Sequence, residues 1–233
     1  MFRSRDLAGG NLIQALLVAG MFGMFFLGAL YLQRVLHYDA LEIGLAFLPS
    51  SLVMGTMSLR YSERLVMRFG ARRVLIAGMS LSALGLAWFA QVPVHDAYVV
   101  HVLPALVVLG LGIGGSFPAL MALAMTGAGP EDAGLASGLV NTTAQVGGAL
   151  GLAVLATVAS THSHSVMGHG TSAASALTAG YHVAFWIAAG LVAIAVGVTV
   201  FVLDGGAPAH SRVPAGDSGL VDEVPAGVCT EPA

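Results

Sequence analysis

Six stretches of roughly twenty residues each, none with a charge in its interior, dominate this sequence and leave few folds open to it. They run over residues 12–32, 41–59, 74–91, 98–126, 133–160 and 181–203, and Glu42 touches only one margin of the second. A helix of about 20 apolar residues crosses roughly 30 Å of hydrocarbon, so each run is long enough, or nearly so, to span a bilayer. Composition agrees. Hydrophobic residues make up 57% of the 233 positions and charged residues 9%, whereas a soluble domain carries about a quarter charged residues to keep its surface wet. The expected fold class is therefore an all-α membrane protein with six transmembrane helices. The fourth run is too long for one straight perpendicular span. Pro104, the Gly-rich stretch from Gly110 to Gly115 and Pro118 mark it as kinked or tilted.

The basic residues orient the spans. All nine are arginine. Six crossings place Arg3, Arg5, Arg60, Arg64, Arg68, Arg72, Arg73 and Arg212 on one side and Arg34 alone on the other. That asymmetry predicts both termini on the cytoplasmic face. Tyr31, Tyr38, Trp88, Tyr98, Tyr181 and Trp186 fall near the expected outer interface, where amphipathic rings favour the headgroup level. Residues 1–11 read as a short cytoplasmic lead-in to a bundle over 12–203. The first apolar run is longer than the core of a signal peptide and lacks a cleavage pattern. Residues 204–233 are rich in proline and acids, without apolar periodicity, and read as a disordered cytoplasmic tail. Cys229 lies there as the single cysteine, which excludes an intrachain disulfide.

Polar residues inside so apolar a chain are the candidates for function. In the fifth span Gly134, Gly138, Asn141, Gln145 and Gly148 recur at steps of four and three and so share one helix face. Uncharged amides at this depth are costly without partners or water. Two readings stand: close packing against another helix through the glycines, or lining of a hydrated cavity by the amides. Ser116 and Gln14 are weaker cavity candidates. In the fourth span Gly110, Gly114 and Pro118 are read as packing or bending positions; no phosphate-loop spacing is present. The connection between the second and third spans carries Arg64, Arg68, Arg72 and Arg73, with Gly70 as its turn. It reads either as a topology-fixing basic loop or as a gate whose arginines bond helix C-terminal carbonyls or acids nearby. His162, His164 and His169 between the last two spans lack an accompanying acid or cysteine, and no metal is expected there. No nucleophile–base pair, zinc motif or dinucleotide loop is present, so no enzyme, cofactor or nucleic-acid function is expected. The sixth span, with Thr199 its interior hydroxyl, reads as a lipid-facing support.

Three segments together resemble the major facilitator superfamily, and within it the fourteen-helix drug:proton antiporters of the EmrB/QacA type. Residues 31–49, YLQRVLHYDALEIGLAFLP, are similar to the pattern YLQxVLGYSPLxAGLAFLP, with His37 at the usual glycine, Asp39 at the serine and Ala40 at the proline. Residues 61–73, YSERLVMRFGARR, are similar to the loop signature GxLaDRxGRR, with Glu63 at its first glycine and Met67 at its aspartate. Residues 132–151, DAGLASGLVNTTAQVGGALG, resemble DAGLASGLVNTSRQVGGALG, with Ala144 at the usual arginine.

This resemblance implies a major-facilitator-type bundle built as a 3+3 inverted repeat, with spans one, two, four and five around a cavity and three and six outside. It implies the carboxy-terminal half of a transporter that exports drugs or other amphipathic solutes in exchange for protons. No cofactor follows from it beyond the proton as coupling ion. The implied partners are membrane lipid, a small-molecule substrate, and an amino-terminal bundle or a second copy of the chain. The implied place is the bacterial plasma (inner) membrane. In that reading Asn141 and Gln145 line the cavity and Arg64, Arg68 and Arg72 govern the cytoplasmic gate. The competing expectation is a truncated or split-gene product that does not transport, or that binds a full-length relative in the membrane.

Overall fold

The computed structural model describes residues 5–93, 98–126, 133–168 and 170–202. They form α1 (Arg5–Arg34), α2 (Ala40–Thr56), a π-helical turn (Met57–Tyr61), α3 (Ser62–Phe69), α4 (Ala71–Phe89), α5 (Val102–Thr126), α6 (Ala133–Met167) and α7 (Ala173–Val202). Among the described residues six helical segments are long and apolar enough to cross a bilayer, because α2, the π turn and α3 run together as one 30-residue segment, Ala40–Phe69. The chain is an all-α, multi-pass membrane protein.

Several element ends differ from the hydropathy reading, each for a local reason. The lead-in over 1–11 is helical from Arg5. The basic connection is not a loop, since α3 carries Arg64 and Arg68, and Gly70 alone separates it from α4. Gly70 sits at φ +85°, a conformation that other residues avoid. The fourth span starts at Val102, not at Tyr98, which puts Pro104 in the first helical turn, where its missing N–H costs nothing. The sixth starts at Ala173, eight residues before Tyr181. Ser172 caps it, its Oγ accepting from the Ser175 amide at 3.3 Å. Glu42, the acid at the margin of the second span, belongs to a reciprocal cap. Asp39 Oδ1 accepts from the Glu42 amide at 2.8 Å, and Glu42 Oε2 accepts from the Asp39 amide at 2.9 Å. The segments 204–233 and 1–4, with Arg3, Arg212 and Cys229, lie outside the described residues.

Helices α6, α1, α5 and α2 follow one another as neighbours. Behind them α7 packs on α1 and α6, α4 packs on α5, and α4 and α7 pack on each other. Exchanging the first three spans with the last three maps most of these pairings onto one another. The α1–α6 pair becomes α5–α2, α1–α7 becomes α5–α4, and α4–α7 returns to itself, which is the 3+3 repeat.

In lipid, association rests on close packing rather than on exclusion of water, so small residues mark the crossings. A Cβ at Gly147 of α6 would stand 2.7 Å from Ala15 Cα, and one at Gly151 would stand 2.7 Å from Ala19 Cα. The repeat-related crossing uses Gly110 and Gly114 of α5, whose Cβ atoms would lie 2.7 Å from the Ser50 oxygen and 2.6 Å from the Met54 oxygen of α2. A third crossing joins α4 and α5, where a Cβ at Gly78 would meet the Gly112 oxygen at 2.8 Å.

At the end where α1 finishes, an aromatic cluster ties three helices. Tyr31 stands edge-on to Phe89 (centroids 5.8 Å apart) and to Tyr181 (6.4 Å), and Phe89 packs on Phe185 at 4.9 Å. Tyr31 and Tyr181 are thus core residues, not interfacial anchors; Trp88 and Trp186 are the exposed rings. Side chains at this end also reach backbone carbonyls of distant segments. Tyr31 donates to Pro93 O at 2.9 Å, Tyr98 donates to Ala46 O at 2.6 Å, and His182 Nε2 lies 2.8 Å from Val92 O. Burial, with Tyr38 adding to it, holds the Tyr98 hydroxyl above the ordinary phenol range, so it stays protonated as that donor.

Candidate functional site

Helix α6 has two unlike faces. Val140, Gly148, Leu155 and Ala159 are buried, while Ser137, Asn141, Thr142, Gln145, Ala149 and Ala153 are exposed. The exposed set recurs at helical spacing, so it forms one stripe along a helix whose other side carries the contacts to α1 and α7. Helix α2 is covered as little, with Leu41, Leu45, Leu48 and Leu52 open along its length. These outermost members of the row α6–α1–α5–α2 leave a wide uncovered surface.

The sequence-selected residues separate into those on this surface and those inside the bundle. Asn141 and Gln145 are exposed one turn apart, and among the described residues neither amide has a hydrogen-bond partner within the chain. Thr142 beside them is satisfied by its own helix, its hydroxyl donating to Gly138 O at 2.8 Å. Gly134 and Gly138 share the surface, and a Cβ at either would meet nothing within 4 Å. Among the described residues they pack against nothing. Gly148 does not belong with them: it is buried, and its Cβ would lie 3.2 Å from Phe22 of α1. One residue of helical rotation, 100°, separates it from the surface residue Ala149, and spacing by threes and fours drifts across that boundary.

Gln14 and Ser116 lie inside the bundle. Gln14 is buried on α1, and its Nε2 donates to the Val140 carbonyl of α6 at 3.2 Å. It acts as a tie between helices, directly behind Asn141. Ser116 is fully buried at the α4–α5 crossing, with its hydroxyl donating to Gly112 O at 2.7 Å. Neither faces the open surface. Pro118 is interior to α5 and leaves the Gly114 carbonyl without its usual donor from four residues on. Sequence reading missed Gly147 and Gly151, the contact glycines of the α1–α6 crossing. The signal available was their four-residue step, matched by Ala15 and Ala19.

At the opposite end from the aromatic cluster the arginines do different jobs. Arg72 Nη2 donates to the Val200 carbonyl in the last turn of α7 at 2.7 Å, where a cation also meets the negative end of the helix dipole. Arg68 stacks over Phe69, 5.3 Å from the ring centre. Arg64, Arg68 and Arg73 are exposed. The histidines His162 and His164 sit in the last turns of α6, which runs to Met167; His169 lies outside the described residues. Among the described residues no cluster of three metal-ligating side chains occurs. The sixth span is not simply a support: α7 packs on α1, α6 and α4, and Thr199 is fully buried, bonded to Ala195 O.

Comparison with known proteins places this architecture. The chain is 38% identical over 195 residues to the cephamycin export protein of Amycolatopsis lactamdurans, covering 83% of this chain and 36% of that protein. It is 35% identical over 190 residues to a puromycin resistance protein of Streptomyces alboniger, covering 79% and 38%. A tetracenomycin C resistance and export protein of Streptomyces glaucescens is 33% identical over 155 residues, covering 66% and 28%. The chain thus spans little more than a third of the length of the first two relatives. The family model that matches, over residues 1–152, is that of the Major Facilitator Superfamily, whose members are transporters rather than enzymes. Six apolar helices in two exchanged triplets, the basic segment turning at Gly70 and this match together make the chain a member of the Major Facilitator Superfamily.

Proposed function

We propose that the chain is one half of a drug exporter, working by alternating access against a second bundle that faces α6, α1, α5 and α2. The observation that carries this reading is the pair Asn141 and Gln145, two amides without partners on the uncovered face of an intramembrane helix. Such groups are costly in hydrocarbon and become favourable only against a polar partner, water or a solute. Export and resistance are named for the relatives. The solute class that suits the face is hydrophobic or amphipathic, held by apolar contact with one or two amide hydrogen bonds. Proton antiport is the proposed coupling. Asp6 precedes the first membrane-crossing segment, Gly9–Arg34, and the six segments hold no carboxylate apart from the capping acid Glu42 and Glu63 in α3, so the proton-carrying acid would come from the second bundle. That bundle is either an amino-terminal half or a second copy of this chain. The bacterial relatives support a bacterial plasma membrane and the arginine asymmetry supports both termini on its cytoplasmic face, which puts Arg72 and its bond to α7 at the inner gate.

The test is proton-gradient-driven efflux from liposomes holding this chain alone, and holding it with a co-expressed amino-terminal bundle from a relative. Export that needs the second bundle, and that falls several-fold with Asn141→Ala or Gln145→Ala, supports the reading. Efflux and substrate range indifferent to both substitutions would sink the cavity assignment. No efflux in either preparation would favour the alternative of a non-transporting membrane fragment.

A further inference from the structure

A cavity of about 280 Å³ lies between the last turns of α1 and α6 and the first turns of α7. Along α6 it lies beyond the amides Asn141 and Gln145, at residues 156–167, and it does not depend on the transport reading. Its floor is buried and mostly apolar, with Leu27, Ala159 and the Tyr181 ring, and Leu30 and Leu177 line its wall. Its rim is polar: Arg34, His164 and Ser160 are exposed there. Arg34 and Tyr181 line the same cavity, and the Tyr181 ring is fixed edge-on by Tyr31. No carboxylate lines the cavity, and among the described residues Arg34 has no acidic partner. Among the described residues Arg34 is the one arginine at this end of the bundle, where the positive-inside pattern gives no reason for it. At about 30 Å³ per water the volume holds roughly nine waters, enough for a small head group and the first carbons of its stem, with the rest of a longer chain lying outside along the apolar surface.

We propose that this cavity binds an amphiphile with an anionic head, a phosphate or carboxylate on Arg34, Tyr181 and His164 with its apolar stem on Leu30 and Leu177. A guanidinium fork matches both oxyanions, and its hydrogen bonds to a charged acceptor are the strong ones. Two sources supply this chemistry: an anionic phospholipid of the surrounding leaflet, or a free amphiphilic acid.

The experiment is native mass spectrometry of the purified full chain, titrated with dihexanoyl phosphatidylglycerol, decanoate, inorganic phosphate and, for comparison, dihexanoyl phosphatidylcholine. Saturable binding of either anionic amphiphile is expected, weakened at least about tenfold by Arg34→Gln, as loss of a charge-assisted hydrogen bond requires. Leu177→Trp, which fills the apolar wall, is expected to weaken it as well, and it reads the same site if Arg34→Gln fails to fold. Binding of the phosphatidylglycerol without decanoate assigns the site to lipid, and the reverse assigns it to a free acid. Equal affinity for the phosphatidylcholine, equal affinity for inorganic phosphate, no saturable binding, or affinity unchanged in the variants would overturn the proposal.

Discussion

The Gln14 amide on α1 donates to the backbone carbonyl of Val140 on α6 at 3.2 Å, and the next residue along that helix is Asn141, whose amide faces the other way. The buried tie and the open amide are therefore coupled through one peptide unit. Gln14→Leu keeps the volume and removes the bond, and interhelical hydrogen bonds in membranes contribute about 0.6 kcal/mol on average and at most about 1.7. A loss of about 1 kcal/mol in detergent unfolding is expected, with no loss of reagent access to position 141. A silent Gln14→Leu would mean that packing alone sets the α1–α6 register.

Access itself can be measured, because Cys229 is the single cysteine and Cys229→Ser gives a clean background. In that background Asn141→Cys and Gln145→Cys should react readily with a membrane-permeant maleimide. Ser116→Cys, fully buried at the α4–α5 crossing, should resist it. Similar labelling at all three positions would contradict the separation into open and buried sites.

The glycines of α6 should divide sharply. Gly151→Val forces a branched side chain against Ala19 and should cost about 1–3 kcal/mol, as overpacking does. Gly134→Ala and Gly138→Ala meet nothing and should leave the stability of this chain unchanged, or raise it by up to about 1 kcal/mol through helix propensity. Any sensitivity of Gly134 or Gly138 would then appear only in an assembly where a second bundle covers the face.

Among the arginines, Arg72→Gln should destabilise the chain by about 1 kcal/mol, since it gives up the bond to Val200 O and its place at the α7 dipole. Arg64→Gln should leave thermal unfolding unchanged, because that side chain is exposed and tied to nothing in α7. Equal effects would show that the arginines act through net charge alone.

His37 occupies φ +59°, the left-handed region that favours glycine, at the turn from α1 to α2. His37→Gly should relieve about 1 kcal/mol of backbone strain and raise the unfolding midpoint. An unchanged midpoint would place the strain relief below the entropy that glycine adds to the unfolded chain.

By itself the sequence determined the class and the connectivity. Six uncharged runs demand six spans, since hydrocarbon offers water to no charge, and Gly70 had to be the turn between Phe69 and Ala71. It also singled out Asn141 and Gln145, because an amide in an apolar run stands out wherever it points. It did not determine which side each residue faces. Hydrophobic periodicity reports a core when water lies outside, but lipid is as apolar as the interior, so hydropathy alone does not say which face of α6 packs inward. Gly148 and Gly147 read alike; only the crossing of α6 over α1 decided that both pack inward while Gly138 stays open. The same ambiguity put Ser116 and Gln14 among the cavity candidates, where the fold buried one against α4 and spent the other's amide on Val140. Element ends escaped too, since the turns closing α6 and opening α7 are polar by composition, while in the fold they pack closely on each other at Ser163 and Gly180.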